Sequence, residues 1–99
     1  MLVHKERVSG TVASGALTLT TGRLQGGLCR QIYANPATAS TSYSITIRDD
    51  AGDTVYAATG QTGRLDQKVT FPVRGVYTIA FTSVSADEVI TAFLGVQEE

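Results

Sequence analysis

Apolar and polar positions alternate most cleanly over residues 43–48. Tyr43, Ile45 and Ile47 occupy one parity, and Ser44, Thr46 and Arg48 the other. A strand sends successive side chains to opposite faces, so this pattern predicts a half-buried strand with the first set inward. Asp49-Asp50-Ala51-Gly52-Asp53 breaks the alternation. Aspartate tolerates turn dihedrals and glycine supplies positive φ, so a hairpin loop is expected there. Thr54, Val55 and Tyr56 restart a strand.

The same reading extends in both directions. Arg7 to Ala13 predicts a first strand with Val8 and Val12 on one face, and Gly10 inside it marks a bulge or a close backbone approach. Ser14-Gly15 predicts a turn. Leu17 and Leu19 alternate with Thr18 and Thr20 in a second strand over 16–21, where β-branched threonine suits a pleated surface. The glycines of 21–27 predict a loop. A third strand is expected over 28–34, with Leu28, Arg30 and Ile32 on one side and Cys29, Gln31 and Tyr33 on the other. It ends at Asn35-Pro36, because proline lacks the N–H a ladder needs. Residues 37–42 are long enough to cross between sheets, and 57–63 predict a flexible loop. Leu65, Gln67, Val69, Phe71 and Val73 share a parity, and Pro72 points to an edge strand. Tyr77, Ile79 and Phe81 then alternate with Thr78, Ala80 and Thr82, and a last strand covers 89–96.

About eight short strands with frequent turn signals and no helical period predict an all-β fold. The expected architecture is a small antiparallel β-sandwich over 7–96, jelly-roll or immunoglobulin-like, with an N-terminal arm at 1–6 and a charged tail at 97–99. Eight strands favour the jelly roll, and the absence of tryptophan removes the immunoglobulin core signature. Thr21-Gly22-Arg23-Leu24 recurs as Thr62-Gly63-Arg64-Leu65. Its flanks need an insertion to stay in register, so chance is favoured over a duplicated half-domain.

The last strand departs from clean alternation. Ile90, Ala92, Leu94 and Val96 are apolar on one parity, while Val89 and Phe93 are apolar on the other, with Thr91 between. Either this strand is central and covered on both faces, or its outer face meets another subunit. The low charge of the chain favours the second reading. Val89, Thr91 and Phe93, with Leu2 and Val3 of the arm, are the expected partner contacts.

Composition narrows the function. The 99 residues fit one domain, and only 17% are charged, against about 25% in an average protein. Net charge is −1 with no basic block, which leaves nucleic acid no electrostatic footprint. No apolar run approaches the ~20 residues of a membrane helix. Residues 1–7 do not read as a leader. Cys29 is the sole cysteine, so it cannot close an internal disulfide. It reads as a small core residue in a reducing compartment.

Candidate chemistry is sparse. Asp49, Asp50 and Asp53 offer hard oxygen ligands, but their spacing misses the EF-hand pattern, and an ordinary turn is the simpler reading. His4 and Cys29 give neither a zinc set nor a nucleophile pair. Gly60-Gln61-Thr62-Gly63 lacks the lysine and helix of a phosphate loop. Asp87-Glu88 could do acid–base work, yet a solvated loop is favoured. Tyr43 and Tyr77 share parity with core residues and are expected buried with bonded hydroxyls. Tyr33 and Tyr56 are open to a sugar-stacking role. No enzyme activity, cofactor or metal is expected.

The segment Tyr43-Ser-Ile-Thr-Ile-Arg-Asp49 with Gly52-Asp-Thr-Val-Tyr56, then Phe71-Pro-Val-Arg-Gly-Val-Tyr-Thr-Ile79, Ala86-Asp-Glu-Val-Ile90 and Leu94-Gly-Val-Gln-Glu98, resembles small virion structural proteins of tailed bacteriophages. A related pattern occurs in bacterial jelly-roll modules attached to secreted proteases. The phage resemblance implies a capsid-decoration or head–tail junction protein. Such a protein would form symmetric oligomers, bind a major capsid or connector protein, and reside in the virion after assembly in the host cytoplasm. The arm and tail would order on contact. The alternative on the same sandwich is a carbohydrate-binding or adhesion module using exposed tyrosines and the Asp49–Asp53 loop.

Overall fold

The computed structural model describes residues 3–97, which form eight strands and no helix. They are β1 (Val3–Thr11), β2 (Leu17–Thr20), β3 (Leu24–Pro36), β4 (Ser42–Arg48), β5 (Thr54–Thr62), β6 (Leu65–Gly75), β7 (Thr78–Thr82) and β8 (Val89–Gln97). Two four-stranded sheets run in the orders β1-β8-β3-β6 and β2-β7-β4-β5. All the pairings are antiparallel, and four of them join β1 to β8, β2 to β7, β3 to β6 and β4 to β5. This is one long hairpin, its first four strands laid against its last four, rolled into two layers. The result is a jelly roll, which decides between the two sandwiches the sequence left open.

The alternation works as expected in β4 and β7. Tyr43, Ile45 and Ile47 join Ile79 and Phe81 inside, each almost fully buried. Opposite them the first sheet contributes Ile32, Ala34, Ile90, Leu94 and Val96. Burying each of the isoleucine, leucine, valine and phenylalanine side chains among them stabilises the fold by roughly 1.5–3 kcal/mol. The Tyr43 hydroxyl donates to the Gly63 carbonyl at 2.7 Å, and the Tyr77 hydroxyl accepts from the Arg74 N–H at 3.2 Å. Both inward tyrosines therefore keep their polar ends paired.

Four expectations are corrected. Residues 3–6 are not part of an arm: Val3 stands opposite Gln97 and the ladder runs unbroken to Thr11 opposite Val89. Pairing with the central strand β8 supplies the order that local sequence lacks. Gln97 likewise belongs to β8, while Met1, Leu2, Glu98 and Glu99 lie outside the described residues. The glycine-rich stretches 21–27 and 57–63 are largely strand. Gly26 (φ 128°) and Gly27 (φ 145°) sit at a register shift of β3, and Gly60 (φ 63°) at one of β5. Glycine here makes bulges instead of ending strands. Finally, β3 does not keep one parity. Cys29 opposes Val96 and Gln31 opposes the adjacent Gly95, so Arg30 is the extra, unpaired residue of a bulge. This turns Cys29 inward with Ile32, and sends Gln31 and Tyr33 outward.

The repeated Thr-Gly-Arg-Leu has a structural role in both places. Each copy leads from a strand of the second sheet into a strand of the first, β2 to β3 and β5 to β6. Each ends on a buried leucine, Leu24 or Leu65. Gly10 is a close approach, not a bulge. A Cβ there would lie 2.9 Å from Leu19 Cδ2 and 3.0 Å from Leu17 Cδ1. At the Ser14-Gly15 turn both residues have positive φ, 54° and 76°. That is the hairpin geometry whose twist matches its flanking strands.

Candidate functional site

The two outward faces of the sandwich differ in chemistry. On the second sheet, cross-strand pairing aligns Thr18, Ala80, Thr46 and Ala57 in one row and Thr20, Thr78, Arg48 and Thr54 in the next. Thr82 and Ser44 face each other beyond them. Arg48 is the only charged residue in these rows. The threonines are there because a β-branched hydroxylated side chain favours the pleat while tolerating water.

The first sheet carries a different row, Arg7, Phe93, Tyr33 and Asp66, one residue from each strand. Tyr33 and Phe93 stack with centroids 4.6 Å apart and planes 14° from parallel. Lys5 Nζ lies 5.0 Å and Arg7 Cζ 5.8 Å from the Phe93 centroid. Cations over a ring face are attracted by its quadrupole, and their stems cover apolar surface. Phe93 is thus only 5% exposed although it points away from the core. In the neighbouring row Gly95 lies between Lys5 and Gln31. A Cβ on Gly95 would come 3.1 Å from the Gln31 Cβ, so glycine leaves room for Gln31 to reach across and donate to Asp66 Oδ1 at 2.7 Å. These residues, with Asn35 and Thr91, line a depression of about 440 Å³.

Of the expected partner contacts, Val89, Thr91 and Phe93 do lie along the outward side of β8. Val89 is 48% exposed, Thr91 half-buried, and Phe93 covered by its own chain. Leu2 lies outside the described residues, and Val3 pairs with Gln97 through the backbone. The apolar excess of β8 follows from its central position between β1 and β3 and from the ring cluster on its outer side. The row Arg7–Phe93–Tyr33–Asp66 was not legible in the sequence. It needs the β1–β8 register and the Arg30 bulge, both long-range facts.

The other candidates have structural partners. Asp49 Oδ1 accepts from the Ala51 and Asp53 N–H groups at 3.0 and 2.9 Å, which makes it the organiser of its own turn. Asp50 lies 4.0 Å from Arg23 in an exposed pair. Among the described residues no three His, Cys, Asp or Glu side chains converge. Cys29 is fully buried, and loss of solvation pushes its thiol up to about 11. A second depression of about 390 Å³, between Gly26-Gly27, Asp49–Ala51 and Pro72–Arg74, lies beside this turn.

No family model matches the chain, and no curated protein matches it. Among solved structures it is similar to chitosan-binding module 1 derived from a chitosanase/glucanase of Paenibacillus sp. IK-5. That match has a TM-score of 0.56 and 15% identity, and covers 92% of this chain and 75% of that one. The likeness establishes a shared fold. Chains of infectious bursal disease virus, Gt and Gx strains, align with TM-scores of 0.41 and 0.32 at 14% and 10% identity. They cover 95% and 96% of this chain but only 30% and 39% of their own, too loose a match to argue from. The fold and faces define a small jelly-roll β-sandwich module.

Proposed function

We propose that this chain is a non-catalytic structural protein of a bacteriophage particle, binding a major capsid or connector protein and stabilising the assembly. The observation that carries the reading is the outward face of the β2-β7-β4-β5 sheet, where Arg48 is the only charge in two full cross-strand rows. Interface centres are depleted of charge because desolvating an ion is costly, whereas hydroxyls can exchange water for a partner's backbone. The resemblance of residues 43–98 to virion proteins supports the class of partner. A protein that binds only the assembled shell stabilises it by mass action, and a symmetric oligomer of this chain would add avidity.

Co-sedimentation with particles encoded by the same genome tests this reading. Wild type pellets with the particles, and Thr46→Arg, which places a second cation beside Arg48, stays in the supernatant while folded. Equal pelleting of the variant, or no pelleting of wild type, contradicts the proposal.

A further inference from the structure

We propose that the depression on the opposite face, between β1, β8, β3 and β6, is a binding site for a carboxylated saccharide, a uronic or ulosonic acid residue. Saccharide sites combine an apolar ring face for sugar C–H groups with a few placed polar groups for the hydroxyls. Tyr33 supplies the ring. One side of it is stacked on Phe93, which fixes its orientation, and no hydrogen bond among the described residues engages its hydroxyl. Asn35 and Thr91 stand side by side at one end of the depression. Asp66 is held at one oxygen by Gln31 at 2.7 Å and keeps the other for a ligand hydroxyl. The volume of about 440 Å³ suits a small ligand of one or two rings, within the usual range of such sites.

The charge pattern selects the acid. Lys5 and Arg7 both border the depression, and neither has a carboxylate partner among the described residues. With Lys68 opposite Gln31 on the same face, the cations of these rows outnumber the carboxylate of Asp66 among the described residues, in a chain whose net charge is −1. Arg7 is exposed at the rim and held over Phe93. Its planar guanidinium can take a carboxylate in two parallel hydrogen bonds, which a lysine cannot imitate. This site and the threonine-rich face lie on different sheets, so the inference does not depend on what the threonine-rich face binds.

Titration of the ¹⁵N-labelled chain with trigalacturonate and, separately, with sialyllactose distinguishes the two sources of the carboxylate. Cellotriose and hexaglutamate serve as the neutral and charge-only controls. Saturable shifts centred on Tyr33, Asn35, Thr91 and Phe93 with either acidic sugar are expected, and weaker or no shifts with both controls. Arg7→Gln reduces affinity about tenfold, the loss of one charge-assisted pair, and Arg7→Lys recovers only part of it. Asn35→Ala is expected to weaken binding with its denaturation midpoint unchanged. No saturation with either acid, shifts centred elsewhere, or equal binding of cellotriose or hexaglutamate overturns the assignment. None of these results alters particle co-sedimentation, so the two proposals fail separately.

Discussion

Asp87 and Glu88, adjacent in the chain, clamp two different loops. The Asp87 carboxylate accepts from the N–H groups of Ser14 and Gly15 at 3.3 and 3.2 Å, holding the β1–β2 turn in its positive-φ conformation. The Glu88 carboxylate accepts from the Thr38 N–H at 2.7 Å and the Thr41 hydroxyl at 3.1 Å, fixing the β3–β4 connection. The pair, expected in a solvated loop, anchors the donors of two connections: three backbone N–H groups and the Thr41 hydroxyl.

That anchoring gives stability an acid dependence. The Thr38 N–H beside Glu88 holds its carboxyl below the ordinary value of 4.5. A group whose folded value is depressed stabilises above its unfolded value, and that contribution is lost as pH falls through the folded one. Urea midpoints of wild type should therefore drop on acidification below about pH 4.5, and Glu88→Gln should flatten that drop while speeding exchange of the Thr38 amide. Asp87→Ala should cost about 0.5–1.5 kcal/mol at neutral pH.

At the alkaline end the sign reverses. Burial raises Cys29 from 9.0 to about 11 and Tyr43 from 10.0 to about 12. The folded state then holds protons the unfolded state releases, so stability declines from about pH 9 upward. At pH 8 the Cys29 thiol should react with maleimide at least about tenfold more slowly in the folded than in the urea-denatured chain.

Phe93 is a stability residue despite facing outward. Phe93→Ala removes a 5%-exposed ring from between Tyr33, Lys5 and Arg7 and should cost about 2–4 kcal/mol in chemical denaturation. Tyr33→Ala, losing a half-buried ring, should cost about 1–2 kcal/mol. Equal costs would contradict the asymmetry in burial.

Gly63 closes the second sheet-to-sheet corner. Its φ is +72°, a Cβ there would stand 2.6 Å from the Ala39 carbonyl oxygen, and its own carbonyl accepts the Tyr43 hydroxyl. Gly63→Ala should destabilise by about 1–3 kcal/mol, whereas Gly52→Ala, with open space around its Cβ, should show only the smaller strain of its positive φ.

Local alternation made β2, β4 and β7 legible, because one face of each is buried and the other wet. It failed where glycines form bulges inside β3 and β5, and where Arg30 shifts the parity of β3. It also missed residues 3–6, where one valine beside His4, Lys5 and Glu6 gives no alternating core signal and the order comes from pairing with β8. The threonine-rich face could be seen as threonines at alternate positions. The aromatic row of the other face could not, since its four members come from four strands joined only by register.

Accessibility on the particle is the most direct test of the docking account. Single cysteines at Thr46 and at Asn35 sit on opposite faces, and buried Cys29 contributes little background. The account predicts that Thr46→Cys becomes protected from maleimide when the protein is bound to particles, while Asn35→Cys stays reactive. Protection at Asn35 with Thr46 still reactive, or no change at either position, would contradict it.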